Sequence, residues 1–323
     1  MLSRVAERMY WFGRYLERIE NTARLVNVNA NVLLDLPKMV KHIWPGTIDI
    51  TGNNEQFYSK YDKADERNVI RFMLADDSNP GSIIYSIRMA RENVRTTREI
   101  MPSESWEQIN EFYLFLKQNV SNVVRRSGRH EFLDDVINHC HQINGLLMSN
   151  MSHNEAYNFI RIGKDIERAD MTTRIVDIGC INLLQRKHNT PETFDNILWM
   201  NVLRSLSGYQ MYKQNVLDKV NGEDVVSFLM QNEYFPRTVA YCLAELNQCV
   251  ITLPNNDPVL RGITRLQRMI TEMDVNKILE KGLHEFLDEL QINLGEIHDQ
   301  VRQTWFDYSG SDTEIHAQTQ TQS

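Results

Sequence analysis

The chain has 323 residues, with 35 Lys and Arg against 43 Asp and Glu, which gives a formal net charge of −8 at pH 7. This acidic balance argues against non-specific nucleic-acid binding, which needs a basic surface. The 14 glycines and 8 prolines are too few for a turn-rich β-sandwich or β-propeller. The composition therefore favours a globular chain with long regular elements and a sizeable core.

Nearly every stretch of the chain has the apolar period of an α-helix, so we predict an all-α fold. Residues 37–64 lose this period around Pro45, Gly46 and Gly52, and we predict an irregular excursion there. Residues 307–323 are polar and are expected to form a disordered tail. In chain order, the predicted helices are 3–36, 65–77, 80–101, 103–126, 131–151, 153–188, 191–219, 222–232, 236–253, 258–273 and 275–306.

The N-terminus and the cysteines indicate the cellular compartment. Residues 1–26 carry charges every few positions and lack the apolar segment of a signal peptide. No stretch is long and apolar enough for a transmembrane helix, so no membrane association is expected. The cysteines form no C-x-x-C pair and are expected to be free buried thiols: Cys140, Cys180, Cys242 and Cys249. The sequence therefore predicts a cytoplasmic protein.

The predicted helix 80–101 has two opposite faces. Its core-facing side chains fall within an arc of about 60°: Ile83, Ile87, Ala90, Val94 and Met101. Four arginines, interleaved with glutamates, lie on the opposite side: Arg88, Arg91, Arg95 and Arg98. This side is either a solvated face with local salt bridges or a docking surface for a protein partner.

The strongest pattern in the chain is an internal duplication. Residues 12–26 and 162–176 share the pattern G-[RK]-x-[LI]-E-R-x-[ED]-x-T-x-R-[LI]-V. Two more pairs of segments repeat in the same order: 69–72 with 225–228, and 130–134 with 284–288. We therefore predict two helical halves, 1–150 and 151–306, that pack as one helical bundle with pseudo-two-fold symmetry.

The two Glu-Arg pairs, Glu17-Arg18 and Glu167-Arg168, and the helical pattern around them point to a family. Residues 1–306 resemble the alpha-E domain family, helical proteins named for an E-R motif. Members of that family are typically encoded beside circularly permuted ATP-grasp ligase-like proteins and transglutaminase-like cysteine proteases. The resemblance implies protein partners of these two kinds and a role in peptide or amide-bond metabolism.

Both E-R helices carry charged residues on more than one face. On a helical wheel, Glu17 and Glu20 cluster with Gly13, while Arg14 and Arg18 form a second stripe. The second copy repeats this arrangement. A helix specified on several faces is expected at the centre of a bundle with its charges paired. The candidate ligand-binding residues are Arg14, Glu17, Arg18, Glu20, Arg24, Lys164, Glu167, Arg168, Asp170 and Arg174.

Three interpretations of these residues stay open. The first is a buried ion-pair network that fixes the register of the two helices. In the second, four basic residues hold an anionic ligand such as a carboxylate or a phosphate: Arg14, Arg18, Lys164 and Arg168. In the third, four acidic residues hold a metal ion or a magnesium diphosphate: Glu17, Glu20, Glu167 and Asp170. The adjacent arginines, and the lack of a histidine three residues on, oppose the third. We therefore predict no metal and no cofactor.

Other known chemistries find little support. The chain has no P-loop, no G-x-G-x-x-G loop and no H-E-x-x-H motif. His139, Cys140 and His141 are consecutive on one predicted helix, where their side chains point apart. We predict an accessory or scaffold protein acting with an ATP-grasp-type ligase and a transglutaminase-like protease. The alternative is an enzyme or ligand-binding protein with a polar Glu/Arg pocket between the two E-R helices.

Overall fold

The computed structural model describes residues 1–35, 43–123, 128–184 and 192–307. Within these ranges the chain forms fifteen α-helices and one π-helical turn, and it contains no β-strand. The predicted all-α fold is confirmed. The predicted tail after Asp307 lies outside the described residues. So do parts of the predicted excursion and the ends of four predicted helices: 36–42, 124–127 and 185–191.

The helices of the first half are, in chain order, α1 (Ser3–Asp35), α2 (Ile43–Thr51), α3 (Asn54–Tyr58), α4 (Glu66–Ile70), α5 (Ile83–Arg95), α6 (Ser103–Val123) and α7 (Arg129–Asn150). The π-helical turn, Arg71–Ala75, directly follows α4. Those of the second half are α8 (Glu155–Leu184), α9 (Glu192–Ser205), α10 (Tyr209–Asn215), α11 (Gly222–Gln231), α12 (Val239–Val250), α13 (Asp257–Thr271), α14 (Val275–Lys281) and α15 (Leu283–Trp305).

The two halves pack in the same way around two central helices. α1 contacts α5 and α7, and both of these contact α6. α8 contacts α12 and α15, and both of these contact α13. The most extensive contact between helices is the one between α1 and α8, which joins the two sets. This repeated order supports the duplication, which we propose as the origin of the halves 1–150 and 151–306.

Helix α5 shows how the sequence pattern becomes packing. Ile83, Ile87, Ala90 and Val94 are buried, as the apolar stripe predicts. The helix starts later than predicted because the Ser82 hydroxyl accepts a hydrogen bond from the Tyr85 N–H and caps it there. The equivalent helix α12 begins in the same way, with Thr238 accepting from the Tyr241 N–H.

Two short helices occupy part of the segment predicted to be irregular. Pro45 lies in the first turn of α2, where the missing N–H needs no partner within the helix. Ile48 and Ile50 are buried, and Gly52 follows α2 with a φ of 66°. The prediction is wrong for α2 and α3, because tertiary packing stabilises helices too short to show a clear period.

Two predicted helices are interrupted. The helix predicted at 191–219 breaks at Ser207, whose φ is 54°, and the Gly208 N–H closes α9 by donating to the Leu203 carbonyl oxygen at 2.7 Å. The helix predicted at 275–306 breaks at Gly282, whose φ of 138° suits glycine. None of the helices in the described ranges is both long and apolar enough to cross a membrane.

Candidate functional site

Helices α1 and α8 cross in direct backbone contact at two glycines. A Cβ atom on Gly13 would overlap the carbonyl oxygen of Ile160 and lie 3.0 Å from its carbonyl carbon. A Cβ atom on Gly163 would overlap the carbonyl oxygen of Tyr10 and lie 2.9 Å from its carbonyl carbon. Backbone atoms of a helix cannot rotate aside as side chains can. The glycine of each E-R motif therefore sets the close approach of the two halves.

The carboxylate of Glu167 is buried between two arginines of the other half. It accepts hydrogen bonds from Arg14 Nε at 2.7 Å, from Arg18 Nε at 2.6 Å and from Arg18 Nη2 at 2.9 Å. Burial raises the pKa of Glu167, but Arg18 and Arg14 outweigh this effect and lower the pKa to about 2. Glu167 is therefore ionised throughout the physiological pH range.

The carboxylate of Glu17 makes the reciprocal contact. It accepts hydrogen bonds from Arg168 Nε at 2.9 Å and from Arg168 Nη2 at 2.6 Å. Thus the glutamate of each E-R pair binds the arginine of the other pair. This exchange is what the two-residue motif achieves: a bidentate, buried salt bridge in each direction between α1 and α8.

Arg237 is the partner that sequence analysis missed. Its Nη1 donates to Glu17 Oε1 at 3.1 Å and to Asn21 Oδ1 at 2.6 Å, and its Nη2 donates to Glu20 Oε1. Glu20 also accepts from Arg24 Nε at 3.0 Å. Burial raises the pKa of Glu20, but Arg237 and other cationic neighbours hold it well below its ordinary value. The sequence did contain a signal for Arg237. The repeat that aligns Pro80 with Pro236 also aligns Gly81 with Arg237, so the two copies differ there by a large basic side chain.

The remaining predicted residues form weaker pairs. Arg174 Nε donates to Asp170 Oδ2 at 2.9 Å, one helical turn away. Lys164 Nζ lies 3.8 Å from Asp165 Oδ1. Neither carboxylate oxygen of Asp165 has a hydrogen-bond partner among the described residues, and burial raises the pKa of this group. The geometry at the α1–α8 crossing thus corresponds to the first interpretation, a largely buried ion-pair network.

The metal interpretation does not fit this geometry. The carboxylates of Glu17, Glu20 and Glu167 already accept hydrogen bonds from guanidinium groups. A divalent cation needs oxygen ligands that are free to converge on it. Binding one here would leave several buried arginines facing another cation, which is strongly unfavourable.

A pocket with a volume of about 260 Å³ lies beside the Glu167 cluster. Helices α1 and α8 form its base, and the C-terminal part of α2 and the turn before α5 form its rim. Five of the ten predicted ligand-binding residues line it: Arg14, Arg18, Glu167, Asp170 and Arg174. The other five are outside its lining: Glu17, Glu20, Arg24, Lys164 and Arg168. The rim and Thr22 add residues that sequence analysis did not select.

The arginines on and beyond α5 have local partners. Arg88 Nη1 lies 3.0 Å from Asp77 Oδ2, and Arg95 Nη2 lies 2.6 Å from Glu92 Oε1. Arg91 Nε donates to Asn110 Oδ1 at 2.8 Å. Arg98, which follows the end of α5, stacks on the Trp106 ring at 3.8 Å from the ring centroid. Their predicted role in partner binding stays a prediction.

The predicted His-Cys-His stretch forms no nucleophilic site. Cys140 is fully buried, and burial raises the pKa of its thiol well above the ordinary value. His139 stacks on the Phe112 ring, while His141 contacts the Glu20 carboxylate. Cys242 and Cys249 are also buried and free. Without a thiolate, none of these groups is an activated nucleophile.

A second group of charged residues, Asp177, His284 and Asp288, brings its ligand atoms within 4.8 Å of one another. The His284 Nδ1 and Asp177 Oδ1 atoms are 2.7 Å apart, which joins α15 to α8. In the first half, Asn27 of α1 takes the place of Asp177 and donates to Asp134 of α7 at 3.0 Å. Since the two versions join equivalent pairs of helices, α8 with α15 and α1 with α7, the shared feature is an interhelical hydrogen bond.

Comparisons with known proteins agree with this architecture. Residues 1–306 match the Alpha-E family, described as a predicted alpha-helical domain with a conserved ER motif. Three relatives are each 24% identical to the chain: uncharacterized protein Mb2597 of Mycobacterium bovis, and uncharacterized proteins MT2643 and Rv2567 of two strains of Mycobacterium tuberculosis. Each match covers 89% of this chain but only 33% of the relative, so the chain spans about a third of their length.

No solved structure matches the chain. The family match extends over both E-R helices and all the helices packed around them. The chain belongs to the Alpha-E family.

Proposed function

We propose that the protein is a non-catalytic accessory subunit. It acts with an ATP-grasp-type ligase and a transglutaminase-like protease in peptide or amide-bond metabolism. The observation that carries this proposal is the state of the carboxylates at the helix crossing. Glu17 and Glu167 are buried and already bonded to arginines. A general acid or base needs a pKa near the working pH, whereas Arg18 and Arg14 lower the pKa of Glu167 to about 2 against burial.

The length of the relatives also supports a partnership. Since the match covers only 33% of each relative, a domain of this kind is joined there to about twice its own length of further sequence. A domain that works beside another protein is often found fused to further domains. The resemblance to the Alpha-E family implies these two partners, and a partner that consumes ATP is expected in the cytoplasm. Buried free thiols at Cys140, Cys242 and Cys249 are compatible with that compartment.

The test is co-expression of the chain with the ATP-grasp-type ligase and the transglutaminase-like protease of the same organism. Size-exclusion chromatography detects a complex, and titration calorimetry measures its dissociation constant. We expect a complex with at least one of the two proteins. Failure of both to associate, or amide-bond chemistry catalysed by the purified chain alone, contradicts the proposal.

The predicted docking surface is tested in the same system. Arg88 and Arg95 are about half exposed, and the double variant Arg88→Glu/Arg95→Glu reverses their charge without touching the core. We expect it to weaken the complex by about tenfold or more, equivalent to about 1.4 kcal/mol. Arg265→Glu, at another exposed salt bridge, is the control. A complex that tolerates the double variant excludes this surface but leaves the partnership intact.

A further inference from the structure

The two halves have an equivalent turn whose second residue is glycine in one half and arginine in the other. Pro80-Gly81-Ser82 precedes α5, and Pro236-Arg237-Thr238 precedes α12. The proline carbonyl oxygen accepts from an E-R arginine in both halves, from Arg18 Nη1 at 3.5 Å and from Arg168 Nη1 at 3.4 Å. In the second half, the Arg237 side chain fills the space against α1. In the first half, Gly81 has no side chain, and the 260 Å³ pocket occupies the corresponding space against α8.

The base of this pocket differs from the Arg237 site of the second half and does not suit a cation. Arg237 donates to Asn21 and Glu20, but the residues at the corresponding positions of α8 are Met171, which is apolar, and Asp170, which is one methylene shorter. The third hydrogen bond to Glu167 comes from Arg14. A guanidinium or ammonium group entering the pocket would find no equivalent set of acceptors.

The pocket instead presents unused donors. Arg174 uses only its Nε, toward Asp170, so both of its terminal nitrogens lack a hydrogen-bond partner among the described residues. Arg14 uses Nε and Nη1, which leaves Nη2 without one. The lining holds three arginines against two carboxylates, Glu167 and Asp170, a formal excess of one positive charge. Guanidinium groups with free donors are the usual protein ligands for carboxylates and phosphates.

Uncharged hydrogen-bond donors at the pocket wall and rim also favour an anionic ligand. The Thr172 hydroxyl donates to the Arg237 carbonyl oxygen at 2.9 Å. Its counterpart Thr22 lines the pocket, and its hydroxyl has no hydrogen-bond partner among the described residues. Thr51 and Asn53, from the end of α2 and the turn after it, add polar side chains at the rim.

We propose that the Gly81 pocket binds the carboxylate group of a small molecule of amino-acid or short-peptide size, with Arg174 and Arg14 as its main donors. A carboxylate carries the single negative charge that the lining lacks, whereas a phosphate dianion exceeds it. The volume of 260 Å³ lies just below the range of about 300–1,000 Å³ usual for drug-sized ligands. This site goes beyond the accessory role and does not depend on it.

Titration calorimetry on the isolated full-length chain tests the proposal, with acetate, glycine and glycylglycine as carboxylate probes. Inorganic phosphate and guanidinium chloride serve as the other charge classes. We expect one saturable site for the carboxylates, with affinity reduced about tenfold or more in Arg174→Gln, because charge-assisted hydrogen bonds are lost. The control Arg265→Gln, at a solvent-exposed pair, should bind as the wild type does.

Gly81→Arg is the most decisive variant, because it introduces into the first half the arginine that fills the equivalent space in the second half. The new Cβ would meet only side-chain atoms, Asn53 Nδ2 at 3.0 Å and Asn79 Oδ1 at 3.2 Å, and we expect binding to be abolished. Should this variant not fold by circular dichroism, Arg174→Gln decides alone. The proposal is overturned if no carboxylate binds the wild type at concentrations on the order of 10 mM. It is also overturned if phosphate or guanidinium binds in preference, or if folded Gly81→Arg still binds carboxylates.

Discussion

Replacing Gly13 with alanine tests the close contact of α1 and α8. The added Cβ would overlap the Ile160 carbonyl oxygen and lie 3.1 Å from the Lys164 backbone nitrogen. Both obstacles are backbone atoms of a helix, so relief requires the two helices to move apart. We place the overpacking cost near the upper end of the usual range, about 3 kcal/mol. Alanine returns about 1 kcal/mol of helix propensity, which leaves a net loss of about 2 kcal/mol.

Gly145→Ala and Gly295→Ala are matched controls. Both glycines lie within long helices, α7 and α15, both are exposed, and a Cβ on either would meet nothing within 4 Å. Alanine there should stabilise the protein by up to about 1 kcal/mol. The same substitution is therefore expected to destabilise the protein at Gly13 and to stabilise it at the two control positions.

Urea unfolding followed by far-UV circular dichroism measures these free energies, with the denaturant slope checked for constancy. The double variant Gly13→Ala/Gly163→Ala should lose less than the sum of the single variants, because one separation of the helices relieves both overlaps. If Gly13→Ala is as stable as Gly145→Ala, the backbones of α1 and α8 are not in limiting contact.

Three further predictions concern the buried charges. Arg18 and Arg14 lower the pKa of Glu167 to about 2 against burial, so its carboxylate contributes stability that is present above about pH 4.5 and lost as the pH falls toward 2. Glu167→Gln should cost about 3 kcal/mol of unfolding free energy at pH 7 and make stability less dependent on pH in acid. An unchanged pH dependence in acid would contradict this. Burial raises the pKa of Asp165, so any stability tied to its protonated form is present below about pH 3.8 and lost as the pH rises. Asp165→Asn should therefore stabilise the protein by about 1 kcal/mol at pH 7, and this gain should vanish in acid. A loss of stability at pH 7 would instead show that the Asp165 carboxylate is well compensated. Arg237→Met should cost about 3–5 kcal/mol by leaving two carboxylates under-compensated, and a loss below about 1 kcal/mol in urea unfolding would place Arg237 outside the network.

The features that sequence analysis predicted correctly are those with a period or a repeat. The apolar stripe of α5 predicted its buried residues, because a 3.6-residue period maps directly onto a helix face. The repeated glycine, glutamate and arginine of the E-R motif predicted that α1 and α8 meet. That each glutamate binds the arginine of the other half could not be predicted, because pairing within one helix satisfied the same pattern.

The features that were missed depend on single residues and on tertiary contacts. Arg237 lies outside the motif and more than 200 positions from Glu17 and Glu20, so no local pattern connects them. The break at Ser207 results from a left-handed backbone conformation that serine rarely adopts. Helix α2 is short and depends on burial of Ile48 and Ile50. It forms the rim of the pocket, so the site was visible from sequence only in part.

The most direct test follows the arginine side chains by NMR while a carboxylate is added. We infer that the E-R crossing holds α1 and α8 together and that carboxylate binding is confined to the Gly81 pocket. In a titration of nitrogen-15-labelled protein with glycylglycine, monitored through the arginine Nε–H resonances, Arg14 and Arg174 should shift saturably. The resonances of Arg168 and Arg237, which bind Glu17 at the equivalent site of the second half, should not shift. Saturable shifts of Arg168 and Arg237, or no shift of any arginine, would contradict binding at the Gly81 pocket.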